Sequence, residues 1–133
     1  AVIDGIVKDC NALKSVGVNS VAICSNDVIN YPEDSFDKMI EFSKLNKFNF
    51  PYLHDETQEV ARKFDAVCTP DFFGYNGKLE LQYRGRVREL KDLKPVNSDK
   101  SDLLIAMTEI AKSGNGPKNQ IPSMGCNIKW IKN

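Results

Sequence analysis

Cys68-Thr69-Pro70-Asp71-Phe72-Phe73 is the stretch on which the fold of this chain turns. X-Pro bonds are the only peptide bonds at which cis is cheap, about 0.5–1 kcal/mol above trans against 2.5–4 elsewhere. A cis proline turns the backbone groups beside it outward, where an extended segment can pair with them. Cis is thus open to the Thr69-Pro70 bond, ahead of a strand at Phe72-Phe73 and with a thiol at Cys68 just before it. The plainer alternative is an ordinary turn proline entering a strand.

Beyond this stretch, Asp71 to Tyr75 and Lys78 to Arg84 read as two strands joined by Asn76-Gly77, a strong hairpin signal. Before it, Asp55 caps a brief helix through Phe64, with Gln58 three residues on as the partner in a capping box. Phe50-Pro51-Tyr52-Leu53 is extended, and Tyr31-Pro32-Glu33-Asp34 is a turn. Asp34 or Ser35 then caps a helix carrying Phe36, Met39, Ile40, Phe42 and Leu45. Val18 to Cys24 is apolar enough for a buried parallel strand, and Ser25-Asn26-Asp27 is the loop after it. Ala1 to Ser15 has helical spacing at Val2, Ile3, Ile6, Val7, Cys10 and Leu13, and Gly17 ends that helix. Ser98 or Asp99 starts a last helix that buries Leu103, Leu104, Ala106, Met107, Ile110 and Ala111 and ends near Gly114.

The tail after it is irregular but carries Ile121, Met124, Cys126, Ile128, Trp130 and Ile131, too apolar for a disordered end. The reading is one α/β domain over residues 1–133, with 114–133 as a tail packed on it. A chain of 133 residues fits one domain of common size.

Lys plus Arg equals Asp plus Glu at 18 each, so no basic excess recommends nucleic acid or an anionic membrane as a partner. No apolar run approaches the roughly 20 residues that span a bilayer. The four cysteines, Cys10, Cys24, Cys68 and Cys126, lack metal-ligand spacing, and His54 is the one histidine, so no metal site is expected. Reduced thiols in a cytoplasmic protein are the expectation.

The words match as well as the order. Asn26-Asp27, Tyr31-Pro32-Glu33-Asp34, Phe50-Pro51-Tyr52-Leu53, Asp55 to Ala61, Cys68 to Phe73, Tyr83-Arg84-Gly85 and Gly125 to Trp130 together resemble the redoxin part of the alkyl hydroperoxide reductase and thiol-specific antioxidant superfamily. The resemblance implies a thioredoxin-like fold, a mixed sheet flanked by helices. It also implies that the intact protein is a thiol-disulfide oxidoreductase or thiol-dependent peroxidase, acting with a thiol reductant on a disulfide or peroxide without a nucleotide or metal cofactor. By the same resemblance, this chain has little or no activity alone. The family carries its redox cysteine pair where the central strand meets the first helix. The Ala1 helix reads as the continuation of that helix, so the expectation is a chain without the pair and without the central strand. The strands Val18–Cys24 and Asp71–Tyr75 would then flank an open position. That position would be closed by further chain, by direct pairing of the two, or by a second copy in a homo-oligomer.

On the same resemblance, Cys68 and Cys126 are the candidate catalytic thiols, and Thr69 and Pro70 the substrate-docking element. The alternative function is a non-catalytic module that docks extended peptides at the cis-proline edge. Cys10 and Cys24 read as core thiols, and His54 as a structural histidine. Asn26 and Asp27 lie on the loop after a parallel strand, where α/β sheets place their sites, and turn formation explains them equally well. Arg84, Arg86 and Arg88 alternate along a strand end and read as a solvated charged face.

Overall fold

A computed structural model describes residues 2–132. Helix α1 spans Val2–Lys14 and buries Asp9, Cys10 and Leu13. Its end is a Schellman closure. Gly17 takes φ +82°, its N–H donates to the Lys14 carbonyl, and the Val18 N–H reaches back to the Leu13 carbonyl at 3.0 Å. That closure consumes the donor of Val18, and strand β1 starts later than the apolar run suggests, at Ala22–Cys24. A 3₁₀ turn at Pro32–Asp34 leads to helix α2, Phe36–Leu45. Of the two candidate caps the structure uses Ser35, whose hydroxyl accepts from the Lys38 N–H. Strand β2, Tyr52–His54, lies parallel to β1, with Cys24 opposite His54.

Helix α3 is short, Glu59–Lys63. Strand β3, Cys68–Thr69, precedes the cis Thr69–Pro70 bond. Strands β4, Phe72–Tyr75, and β5, Leu81–Gly85, form an antiparallel hairpin. Its loop is not the two-residue Asn-Gly turn. The Asn76 side-chain oxygen accepts from the N–H groups of Lys78 and Glu80, so Asn76 opens the turn, and the left-handed residue is Leu79 at φ +62° rather than Gly77. Strands β6, Leu90–Lys91, and β7, Lys94–Pro95, form a small hairpin that the sequence pattern does not announce. Helix α4 spans Asp102–Ser113, capped by the Ser101 hydroxyl instead of Ser98 or Asp99, with Gly114 at φ +79° closing it. Strand β8, Cys126–Asn127, belongs to the tail.

The strands form four two-stranded ladders, β1 with β2, β3 with β8, β4 with β5 and β6 with β7. β1 and β4 are not hydrogen-bonded to each other, so the direct pairing weighed from the sequence is not the arrangement found. The core lies between α1, α4 and the β4–β5 hairpin. It comprises Leu13, Tyr83, Val87, Leu103, Ala106, Met107 and Ile110, with Ile6 and Phe72 packed on it. Each such side chain, fully buried, contributes about 1.5–3 kcal/mol. Ala111 is exposed and stays outside the core. At Tyr83, burial first and Asp102 second push the phenol up to about 12, so it stays protonated and donates to the Arg86 carbonyl at 2.6 Å.

A buried ion pair locks α1 to this core. Asp9 and Arg88 are 4% and 6% exposed and bonded to one another. The Ser101 hydroxyl also donates to Asp9, and Arg88 donates to the Ser98 carbonyl. Arg86 bridges Asp102 and Glu89, while Arg84 bridges Asp71 at 3.6 Å. The three arginines thus face three different sets of carboxylates, which corrects the reading of one solvated face. Removing one member of a buried pair leaves an uncompensated charge. Arg88→Leu is expected to lower unfolding stability in urea by about 3–5 kcal/mol, and Asp9→Leu together with Arg88→Leu by distinctly less.

Candidate functional site

Cys68, Thr69, Pro70 and Cys126 do come together, around the β3–β8 ladder. The register sets Thr69 opposite Cys126 and Cys68 opposite Asn127. Directly opposed residues of an antiparallel pair share a face, and neighbours along a strand alternate faces. Cys126 therefore sits on the Thr69 side and Cys68 on the other. The burial agrees: Cys68 is 9% exposed, whereas Cys126 is exposed. The two thiols are neighbours that do not face each other while the ladder is intact.

Glycine makes the close approach. A Cβ added at Gly125 would overlap the Thr69 carbonyl oxygen, so only glycine lets the tail lie against the backbone before Pro70. Cys68 Sγ donates to the Ser123 carbonyl at 3.7 Å, and the Ser123 hydroxyl donates to the Gly85 carbonyl at 2.7 Å. Burial pushes the Cys68 thiol up and Asp71 adds to this, against the Gly125 N–H and the Arg84 guanidinium. As seated, Cys68 is a protonated thiol at neutral pH.

The tail reaches this place by a series of backbone attachments. The Gln120 side chain accepts from the Arg84 N–H and donates to the Gln82 carbonyl, filling the role of a neighbouring strand along β5. The Ile121 carbonyl accepts from the Arg86 N–H. Past β8, the Ile128 N–H donates to the Val67 carbonyl, and the Ile128 side chain is buried. The Lys129 N–H donates to the Asn26 side chain, and its carbonyl accepts from the Asp27 N–H and from Gln58. Trp130 lies under the Arg62 guanidinium, 4.5 Å from its ring centre.

Gln58 is the residue that the sequence pattern misassigns. It does not return to Asp55 as a capping box would. It stands at φ +65° just before α3 and is 1% exposed. Its amide donates to the Ser25 and Lys129 carbonyls, and its oxygen accepts from the Ile131 N–H. The one clue in sequence was a long amide beside a helix start, which fits many other roles. Asp55 caps α3 alone, accepting from the Val60 and Ala61 N–H groups and from the Ser25 hydroxyl.

The remaining candidates are structural. Cys10 and Cys24 are buried, and burial pushes both thiols up. Asp27 accepts from the Ile29 N–H and the Asn30 side chain, and the latter holds its carboxyl below the usual range despite burial. His54 stacks on Phe36 with ring centres 6.3 Å apart, and its Nε2 is buried without a hydrogen-bond partner among the described residues. Among the described residues no three His, Cys, Asp or Glu side chains converge to hold a metal ion. No helix among them is long and apolar enough to cross a membrane.

Two predictions follow from this geometry. Gly125→Ala should lower the urea midpoint, by about 1–3 kcal/mol of stability, because β8 must lift off Thr69 to admit the methyl group. At Asp55, burial alone would raise the carboxyl, but the three donors outweigh it and hold the group below its ordinary value. Its contribution is therefore full above about pH 4 and lost as pH falls through the lower folded value. Asp55→Ala should cost about 0.5–2 kcal/mol at pH 7 and flatten that acid limb in pH-dependent melts.

The AhpC/TSA family model matches residues 2–90, a span that includes Cys68, Thr69 and Pro70 but not Cys126. The fold is also similar to two solved structures. One is a hypothetical protein from Sinorhizobium meliloti 1021, at 34% identity and a TM-score of 0.91, covering 99% of this chain and 72% of that one. The other is an uncharacterized conserved protein from Geobacillus kaustophilus, at 38% identity and a TM-score of 0.88, covering 99% of this chain and 70% of that one.

Proposed function

We propose a thiol-dependent redox function for this chain, which belongs to the AhpC/TSA family and has the thioredoxin-like α/β fold. The finer reading is a thiol-disulfide oxidoreductase or thiol-dependent peroxidase in the intact protein, with Cys68 and Cys126 among its catalytic thiols. The observation that carries it is the junction of β3 and β8, where one thiol precedes the Thr69–Pro70 element and the other stands opposite Thr69.

Toward a disulfide, a thiolate attacks one sulfur. A new S–S bond forms, the old one breaks, and the departing thiolate takes up a proton. Toward a peroxide, the thiolate attacks an oxygen and the O–O bond breaks. The sulfur becomes a sulfenic acid, and the departing oxygen leaves as water or an alcohol after protonation. A second thiol then displaces the sulfenic oxygen as water to give a disulfide, which an external thiol reductant returns to two thiols.

The Gly125 N–H and the Arg84 guanidinium favour the Cys68 thiolate, while burial and Asp71 oppose it. Because the two cysteines lie on opposite faces of the ladder, each first meets a thiol, disulfide or peroxide from outside. Reduced thiols of this kind suit a cytoplasmic setting. The alternative, a module that docks peptides without turnover, is not favoured, because one edge of β3 is already paired with β8.

The test is peroxide consumption and reduction of a model disulfide, each with dithiothreitol as reductant. Cys68→Ser should remove most of the turnover and Cys126→Ser should lower it. Unchanged rates in both variants would reject the assignment.

A further inference from the structure

Cys68 is covered by a piece of chain held at several points, two of them on the Gln58 side chain. The Ser123 carbonyl accepts from its thiol, Gly125 lies on the Thr69 carbonyl, and Cys126–Asn127 form the strand beside it. The ladder itself is two residues long on each strand. Beyond it Gln58 donates to the Lys129 carbonyl and accepts from the Ile131 N–H, beside the bonds of Lys129 to Asn26 and Asp27 and of Ile128 to Val67. Met124, Gly125 and Cys126 are exposed, so little apolar area supports this part of the tail apart from Ile128.

We propose that residues 123–131 are a strand latch with Gln58 as its clasp. Release of the clasp removes two of the tail's bonds and lets β8 part from β3. It uncovers the Cys68 thiol and the Thr69 backbone, and it removes the constraint that keeps Cys68 and Cys126 on opposite faces. The rest of the fold stays in place, because α1, α4 and the β4–β5 hairpin hold the core. Segments held by few buried contacts open at lower free energy than the core does. The latch stands on geometry alone; its use as a gate for redox chemistry rests on the thiol reading above.

The reduced full chain is treated with N-ethylmaleimide under native conditions, and each cysteine is followed by mass spectrometry. Cys126 should react first, Cys68 well after it, and Cys10, buried on α1, last. Gln58→Asn keeps a residue type that tolerates positive φ but shortens the amide by one methylene. It should speed Cys68 by about tenfold and leave Cys10 unchanged.

Three results would overturn the latch. Cys68 and Cys10 could react together in the wild type, meaning that only global unfolding uncovers Cys68. Cys68 could react as fast as Cys126, meaning that the tail does not cover it. Its rate could also stay unchanged in a folded Gln58→Asn protein. Should that variant fail to fold, the wild-type order decides alone. The expected order without any redox turnover would keep the latch and remove the thiol reading.

Discussion

The carboxamide of Gln58 is the point on which the site depends. A buried amide costs about 1–3 kcal/mol unless its hydrogen bonds are made. Here they are made to three residues in two segments: Ser25 after β1, and Lys129 and Ile131 in the tail. Those bonds draw the tail past the start of α3, which brings β8 onto β3. With β8 in place, Gly125 meets Thr69 and the Ser123 carbonyl meets Cys68. The chemistry open to Cys68 is thus set by a residue ten positions earlier that does not touch it.

Local signals were legible where a single residue type has one cheap use. Gly17 and Gly114 end their helices at positive φ, and Ser35 caps α2. Arg84, Arg86 and Arg88 were visible as a cluster, but their pairing with Asp71, Asp102 and Asp9 was not, since those carboxylates stand elsewhere in the chain. Asn76-Gly77 misled because Asn76 has a second use, binding the backbone beyond it, which moved the left-handed position to Leu79. Gln58 misled in the same way. Of the tail's apolar residues Ile128 is buried, whereas Ile121, Met124 and Ile131 are exposed. The tail's pairing with β3 did not show, because a two-residue strand has no readable period.

The same separation governs the electrostatics around the thiols. Cys68 lies between Asp71 and Arg84, which bridge each other, so neither acts on it as a free charge. Family membership supplies the thiol chemistry in general. The placement of one thiol under the tail and one on it is what this chain adds.

The pairing of β3 with the tail joins positions far apart in the order of synthesis. Ser123 follows Cys68 by 55 residues, and Lys129 follows its partner Asn26 by 103. Loop-closure entropy must be met before such contacts return anything, so they form after the helices and the β4–β5 hairpin. A ribosome adds about 5–20 residues per second, so a nascent Cys68 waits on the order of 3–11 s for the residue that will cover it. During that interval its thiol is as open as any in an unfolded chain. An oxidant or a mixed-disulfide partner present at the ribosome therefore meets it before the fold does.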